Sequence, residues 1–265
     1  MNTELEQQMQ TLRMDRRRNE RLRADFRKSF QIGLEFTSEE ARYITQPSET
    51  VDRNRELKTM FNDQHHITII DAFACVGGDS VSFIHAFENG CSLHAVQRAE
   101  NEEEMGRCDR LRRNLFNATQ GRDRVRHHVY NHPISETLPD IKKKTEGKID
   151  LLFLDPPWFD RGEKLNMENI CILLDSNVFE PMKQCTLAPT VICIKLDFSA
   201  DDLSSCDTFT RMTEGYTTAK TIHVVRNHRP VYHFHILKRN EPLPVLESLL
   251  SVADSKLNSI LLDLQ

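Results

Sequence analysis

A chain of 265 residues with 28% charged residues and a mean hydropathy of -0.53 is long enough to bury a substantial core, as one large domain with additions or as two small ones. No apolar run approaches the roughly 18 residues of a membrane span, and no apolar leader opens the chain, so a soluble protein with no membrane contact is expected. The formal net charge of -5 excludes a globally basic nucleic-acid binder, yet Arg13 to Lys28 holds eight basic and three acidic residues, which can meet phosphates locally.

Seven cysteines without a Cys-x-x-Cys pair, several of them inside apolar runs (Cys171, Cys193), point to reduced thiols in the cytoplasm or nucleus. Residues 1–30 lack Gly and Pro and carry Leu22, Phe26 and Phe30 at four-residue steps, which predicts a helix with a narrow apolar stripe under a basic face. That face reads either as solvated or as a phosphate-contacting arm. Residues 31–66 read as a connecting segment with one short helix, capped within Thr37-Ser38-Glu39-Glu40 and ended by Pro47. Together, 1–66 form a helical N-terminal extension.

From Ile67 the pattern becomes strands alternating with helices. Ile67 to Ile70 is a β-branched run that enters Asp71-Ala72-Phe73-Ala74-Cys75-Val76-Gly77-Gly78-Asp79-Ser80, a glycine-containing turn ahead of an apolar-periodic helix. Cys91 to Val96 is a second strand. A charged helix follows over about Glu100 to Asn117, with Cys108, Leu111 and Leu115 inward and Arg107, Arg110, Arg112 and Arg113 expected on a solvated face. Val125 to Tyr130, Ile149 to Leu154 and Thr190 to Leu196 are three more strands, the last after a helix that Ser176 is placed to cap. Thr221 to Val225 and Val231 to Leu237 flank a turn and predict an antiparallel hairpin. Residues 67–240 therefore predict one α/β domain, a mostly parallel seven-stranded sheet closed by that hairpin. After Pro242, Leu243 to Leu264 carries a short heptad-like seam over 241–265: a C-terminal helix that docks on its own domain or on a partner or dimer mate. The chain's histidines lack a zinc-like spacing, so no metal is expected.

Chemistry concentrates in Asp155-Pro156-Pro157-Trp158, which follows the apolar run Ile149 to Leu154. Open α/β sheets bind ligands at the carboxyl ends of their strands. Two prolines stiffen the turn, so a carboxylate and an indole are held as a clamp for a flat, amine-bearing ring. In a doubly wound sheet this turn and the glycine turn after the first strand open onto one crevice. Lys195 closes the fifth strand nearby, as a substrate-binding candidate or as a solvated lysine.

These two motifs, in this order, resemble those of the Rossmann-like class I S-adenosylmethionine-dependent amino-methyltransferases, and most of all the trimethylguanosine synthases. That family's loop reads Asp-Ala-Phe-Cys-Gly-Val-Gly-Gly-Asn against Asp71 to Asp79 here, and its Ser-Pro-Pro-Trp stands against Asp155 to Trp158. The resemblance implies S-adenosylmethionine as cofactor, held by Asp71, Phe73, Ala74, Gly77 and Gly78, with Gln97 at the ribose where the family has an acidic residue. It implies capped RNA as substrate, methylated on N2 of 7-methylguanosine. Asp155 and the Pro156 carbonyl would accept the amine's protons, drawing its lone pair toward the methyl group, while Pro157 and Trp158 would hold the base. Asp155 in place of serine is the form of several adenine-N6 methyltransferases, which keeps adenine open. Cys75 in place of the loop's first glycine, with Gln97, also leaves open a degenerate domain that only binds nucleic acid.

Overall fold

The computed structural model describes residues 2–61, 66–160, 163–226 and 229–240; of the first helix, side chains are described from Arg13 on. The predicted C-terminal helix and its seam lie outside the described residues.

Strands β1 (Ile67–Asp71), β2 (Cys91–Val96), β3 (Val125–Tyr130), β4 (Leu151–Leu154), β7 (Val191–Leu196), β8 (Tyr216–Arg226) and β9 (Arg229–Arg239) form one sheet in the order β3-β2-β1-β4-β7-β9-β8. The first five run parallel, and β9 pairs antiparallel with both β7 and β8. A two-stranded hairpin, β5 (Phe159–Asp160) with β6 (Glu163–Lys164), follows β4. The apolar strands need no polar face because helices cover both sides. Side chains divide with period two: Leu151 and Phe153 join one core, Leu152 and Leu154 the other.

The first core is roofed by α1 (Asn2–Phe30), α2 (Pro47–Met60), α3 (Gly78–Ala86) and α4 (Glu102–Thr119). The second lies under α5 (Ile134–Thr145), α6 (Met167–Leu174) with a π turn at Asp175–Phe179, α7 (Glu180–Gln184), α8 (Ala200–Ser204) and α9 (Asp207–Met212). The helical stripe of α1 is as expected. Leu22, Phe26 and Phe30 are buried on the first core, each contributing about 2 kcal/mol by area. They dock a helix whose remaining surface is charged.

Three expectations need correction. Pro47 starts a helix instead of ending one: Gln46 and Glu49 form a reciprocal cap, and proline at the first helical position lacks only an N–H that would be unpaired anyway. Ser176 caps nothing, since Asn166 caps α6 and Ser176 sits inside the π turn. Arg107 and Arg110 are not a solvated face. They pair with Glu40, a carboxylate of the extension that is only 3% exposed, and Arg113 pairs with Glu35. Asn114 completes the seam, accepting from the Glu35 N–H at 2.8 Å and donating to the Glu35 and Val76 carbonyls at 2.9 and 2.8 Å. The extension is thus bonded into the sheet domain.

Candidate active site

Strand β1 ends at Asp71 and is followed by the glycine turn. Cys75 adopts a left-handed φ of 50°, costly by roughly 1–2 kcal/mol for a residue with a Cβ. Its N–H donates to Gln97 Oε1 at 2.9 Å, while Nε2 of the same amide donates to the Arg98 carbonyl at 2.8 Å. The two departures noted in the sequence are therefore one device: the amide at the end of β2 braces the turn where glycine would need no brace. Gly77 has φ 92° and a Cβ there would meet Leu111 at 2.8 Å, so α4 packs against bare backbone. At Gly78 a Cβ would meet Ile44 at 3.0 Å and Phe26 at 3.7 Å, so this glycine admits the N-terminal extension.

Strand β4 neighbours β1, and its carboxyl end carries Asp155 to Trp158. The two turns face one cavity of about 600 Å³. Phe73, Gln97, Asp155, Pro156, Pro157, Trp158 and Lys195 all line it. Asp71, Ala74, Gly77 and Gly78 do not; the glycine turn presents Ala72, Phe73 and Cys75 to the cavity instead. The extension supplies part of the wall through Glu40 and Tyr43 to Thr45, and the hairpin contributes Arg226 and Tyr232.

Asp155 does not stand alone. Lys195, only 4% exposed, donates to its Oδ2 at 2.7 Å and to Thr45 Oγ1 at 2.9 Å. Thr45 in turn donates to Asp79 at 2.6 Å, and Asp79 pairs with Arg53. Arg53 has no exposed surface and lies 4.3 Å from the Phe83 ring centroid and 5.0 Å from those of Phe153 and Phe234. This chain of alternating charge runs from the core to the cavity.

Removal from water pushes Asp155 up to about 6, opposed by Lys195 and reinforced by Asp79. Burial likewise pushes Asp71 up to about 7; its Oδ2 accepts from Ser80 at 2.6 Å, while Oδ1 is buried without a partner. Burial outweighs the Arg53 cation at Asp71, whereas at Asp79 the Arg53 and Lys195 cations win and hold the carboxyl below its ordinary range. Trp158 meets Tyr232 edge-on at 5.8 Å, with the Lys195 ammonium 5.5 Å from the indole centroid, and its Nε1 is buried without a partner. Tyr232 donates to Glu49 at 2.8 Å, and Glu49 also binds Arg226, so α2 anchors the hairpin beside the indole.

No protein-family model and no curated protein matches the sequence. Solved structures are similar in shape. A human methyltransferase 10 domain containing protein superposes with a TM-score of 0.61 at 11% identity, over 87% of this chain and 98% of that one. The METTL16 MTase domain gives 0.60 at 11% identity, over 86% and 81%. This is the Rossmann-like class I methyltransferase fold. In an open α/β sheet of this order the crevice beyond β1, β2 and β4 is the expected ligand site, and it is where the cavity lies.

Sequence reasoning missed Thr45, Glu40, Arg107 and Arg226 as parts of the site. None carries a local motif. Only the Glu39-Glu40 pair in a capping context offered a signal, and that pointed to a helix end.

Among the described residues no helix is long and apolar enough to cross a membrane, and no group of three or more His, Cys, Asp or Glu is disposed to hold a metal. All seven cysteines are unpaired.

Proposed function

We propose that the protein transfers a methyl group from S-adenosylmethionine to an exocyclic amine of an RNA base, with N2 of a 7-methylguanosine cap as the preferred target. The observation that carries this is the Asp155 carboxylate held at the cavity wall by Lys195, between a stiff Pro-Pro turn and an indole.

The cavity suits the cofactor. Carboxylates (Glu40, Asp155) and cations (Arg107, Lys195) alternate with flat apolar surface from Phe73, Val96, Pro133 and Ile134, as a zwitterion joined to a purine nucleoside requires. Phe73, Val96, Gln97, Pro133 and Ile134 would hold it, with Asp71, Ala74, Gly77 and Gly78 shaping the turn behind. When bound, the cofactor supplies an electrophilic methyl on a sulfonium.

The chain's own residues do the rest. An exocyclic amine is a weak nucleophile because its lone pair is delocalised into the ring. Asp155 and the Pro156 carbonyl accept the amine's hydrogens, localising the lone pair and fixing its direction. Pro157 and Trp158 give the base a flat, rigid bed. Lys195 keeps Asp155 ionised despite its burial, so the carboxylate can accept at neutral pH.

One feature favours a second target. The Lys195 ammonium beside Trp158 repels a cationic base and not a neutral one, which keeps adenine N6 as the alternative. Methyl transfer to 7-methylguanosine-capped RNA against uncapped adenine-containing RNA separates the two. Asp155→Ala should abolish transfer and leave calorimetric binding of S-adenosylmethionine nearly intact; retained turnover would remove Asp155 from the mechanism. No cofactor binding by the unaltered chain would leave a degenerate, binding-only domain.

A further inference from the structure

A second concavity, an open groove of about 1100 Å³, lies between α1 and α2 with α3 as its floor. Its charged lining is Arg21, Asp25 and Lys28 from α1 with Arg55 and Lys58 from α2, four cations against one anion in a chain whose net charge is -5. These cations are exposed. Their acidic neighbours hold them weakly: Arg21 reaches Asp25 only at 4.0 Å, and Arg55 pairs with Asp52 where both side chains are 69% exposed. The rest of the lining is rich in hydroxyls and amides, among them Ser29, Ser48, Asn54 and Thr59. His85 borders the groove too, but burial and the nearby Arg122 push it down to about 4, so it adds no charge at neutral pH. Arg17 continues the row on α1, four residues before Arg21 and on the same face.

We propose that this groove binds the phosphodiester backbone of the RNA whose base enters the cavity. The inference goes beyond the proposed chemistry and rests on it only in naming RNA as partner. Two observations decide the mode of binding. The aromatic rings in the lining, Phe30 and His85, are buried or half-buried and lie tilted against one another with centroids 4.8 Å apart, so bases find no open ring to stack on. Ammonium, guanidinium and hydroxyl donors remain, and these grip phosphates without reading sequence. The groove also meets the cavity across a single stretch of backbone: Tyr43, Ile44 and Thr45 line the cavity, and Gln46, Pro47 and Ser48 line the groove. A strand held in one can deliver a base to the other.

The test uses the full chain and fluorescence anisotropy with labelled oligouridylate and oligothymidylate across a salt series. Releasing counterions at four cations contributes about 3 to the slope of log K against log salt for a single strand. The R21Q/K28Q/R55Q/K58Q variant should lose that slope and bind at least about tenfold more weakly at moderate salt. A matched variant, K142Q/K143Q/K144Q/K148Q, removes as many exposed cations around α5 and should bind like the unaltered chain. R55Q/K58Q alone, on the outer face of α2, should lose about half the slope if the fourfold variant does not fold. Equal losses on both oligomers are expected for phosphate contacts. Unchanged affinity in the groove variants, equal loss in the α5 variant, or loss on one oligomer only would overturn the proposal. Calorimetry with S-adenosylmethionine reports on the cavity separately: the groove variants should retain binding, and failure of the unaltered chain to bind it would sink the methyltransferase reading while leaving the groove result standing.

Discussion

Replacing Lys195 by methionine tests the electrostatic core of the site without requiring its substrate to be known. The thioether suits the aromatic contacts with Tyr232 and Trp158, so the principal loss is the ammonium at 2.7 Å from Asp155. A hydrogen bond to a charged group is worth about 1.5–3 kcal/mol. At about 1.4 kcal/mol per unit, the carboxyl should move up by about one to two units, from about 6 to between about 7 and 8. Burial and Asp79 both act in that direction, and the remaining cation that favours ionisation, Arg53, acts more weakly. At pH 7 the ionised fraction would fall from about nine-tenths to about half or less. Carbon-detected NMR of protein labelled at the aspartate carboxyl, with Asp155→Asn to assign the signal, measures the midpoint directly. A midpoint that stays near 6, or falls, would refute the role given to Lys195. In a transfer assay the acid limb of the pH profile should rise by the same interval, because protonated Asp155 cannot accept the amine's hydrogens.

Arg53→Met leaves Asp79 buried with Thr45 as its one remaining hydrogen-bond partner and should cost about 3–5 kcal/mol in chemical denaturation, whereas Arg53→Met with Asp79→Leu should recover part of that loss; equal stability of the single and double variants would count against the pair. Asp71 makes the opposite kind of contribution. Its folded-state value of about 7 exceeds the ordinary carboxylate value, so between about pH 4 and 7 the folded chain holds the extra proton and stability falls as pH rises. Asp71→Asn should flatten that slope by up to about 1.4 kcal/mol per pH unit, and an unaltered slope would show that Asp71 does not titrate there.

Strands were legible because burial on both faces writes continuous apolar runs, as in Leu151 to Leu154 and Val191 to Leu196. The neighbouring placement of β1 and β4, and hence of the two turns, followed from general topology and is what the sheet shows. Helix α2 was hidden because Pro47 signals both a helix end and a helix start, and only the Gln46–Glu49 cap decides between them. The arginines of α4 misled for a related reason: a helical face of Arg107 and Arg110 looks the same in sequence whether it meets water or a buried Glu40.

By itself, then, the amino-acid order determined the alternating α/β pattern, the stiff Asp155 turn and the glycine turn, all of which depend on neighbours within a few residues. Only the tertiary structure decided what those turns touch. Thr45 and Lys195 are 150 residues apart yet meet at the cavity wall, and Glu49, 177 residues from Arg226, holds that cavity-lining guanidinium in place. Such polar pairs have no period and no motif. They are selected when folding moves them out of water into the interior, where an unpartnered charge is costly and a partnered one becomes part of the site.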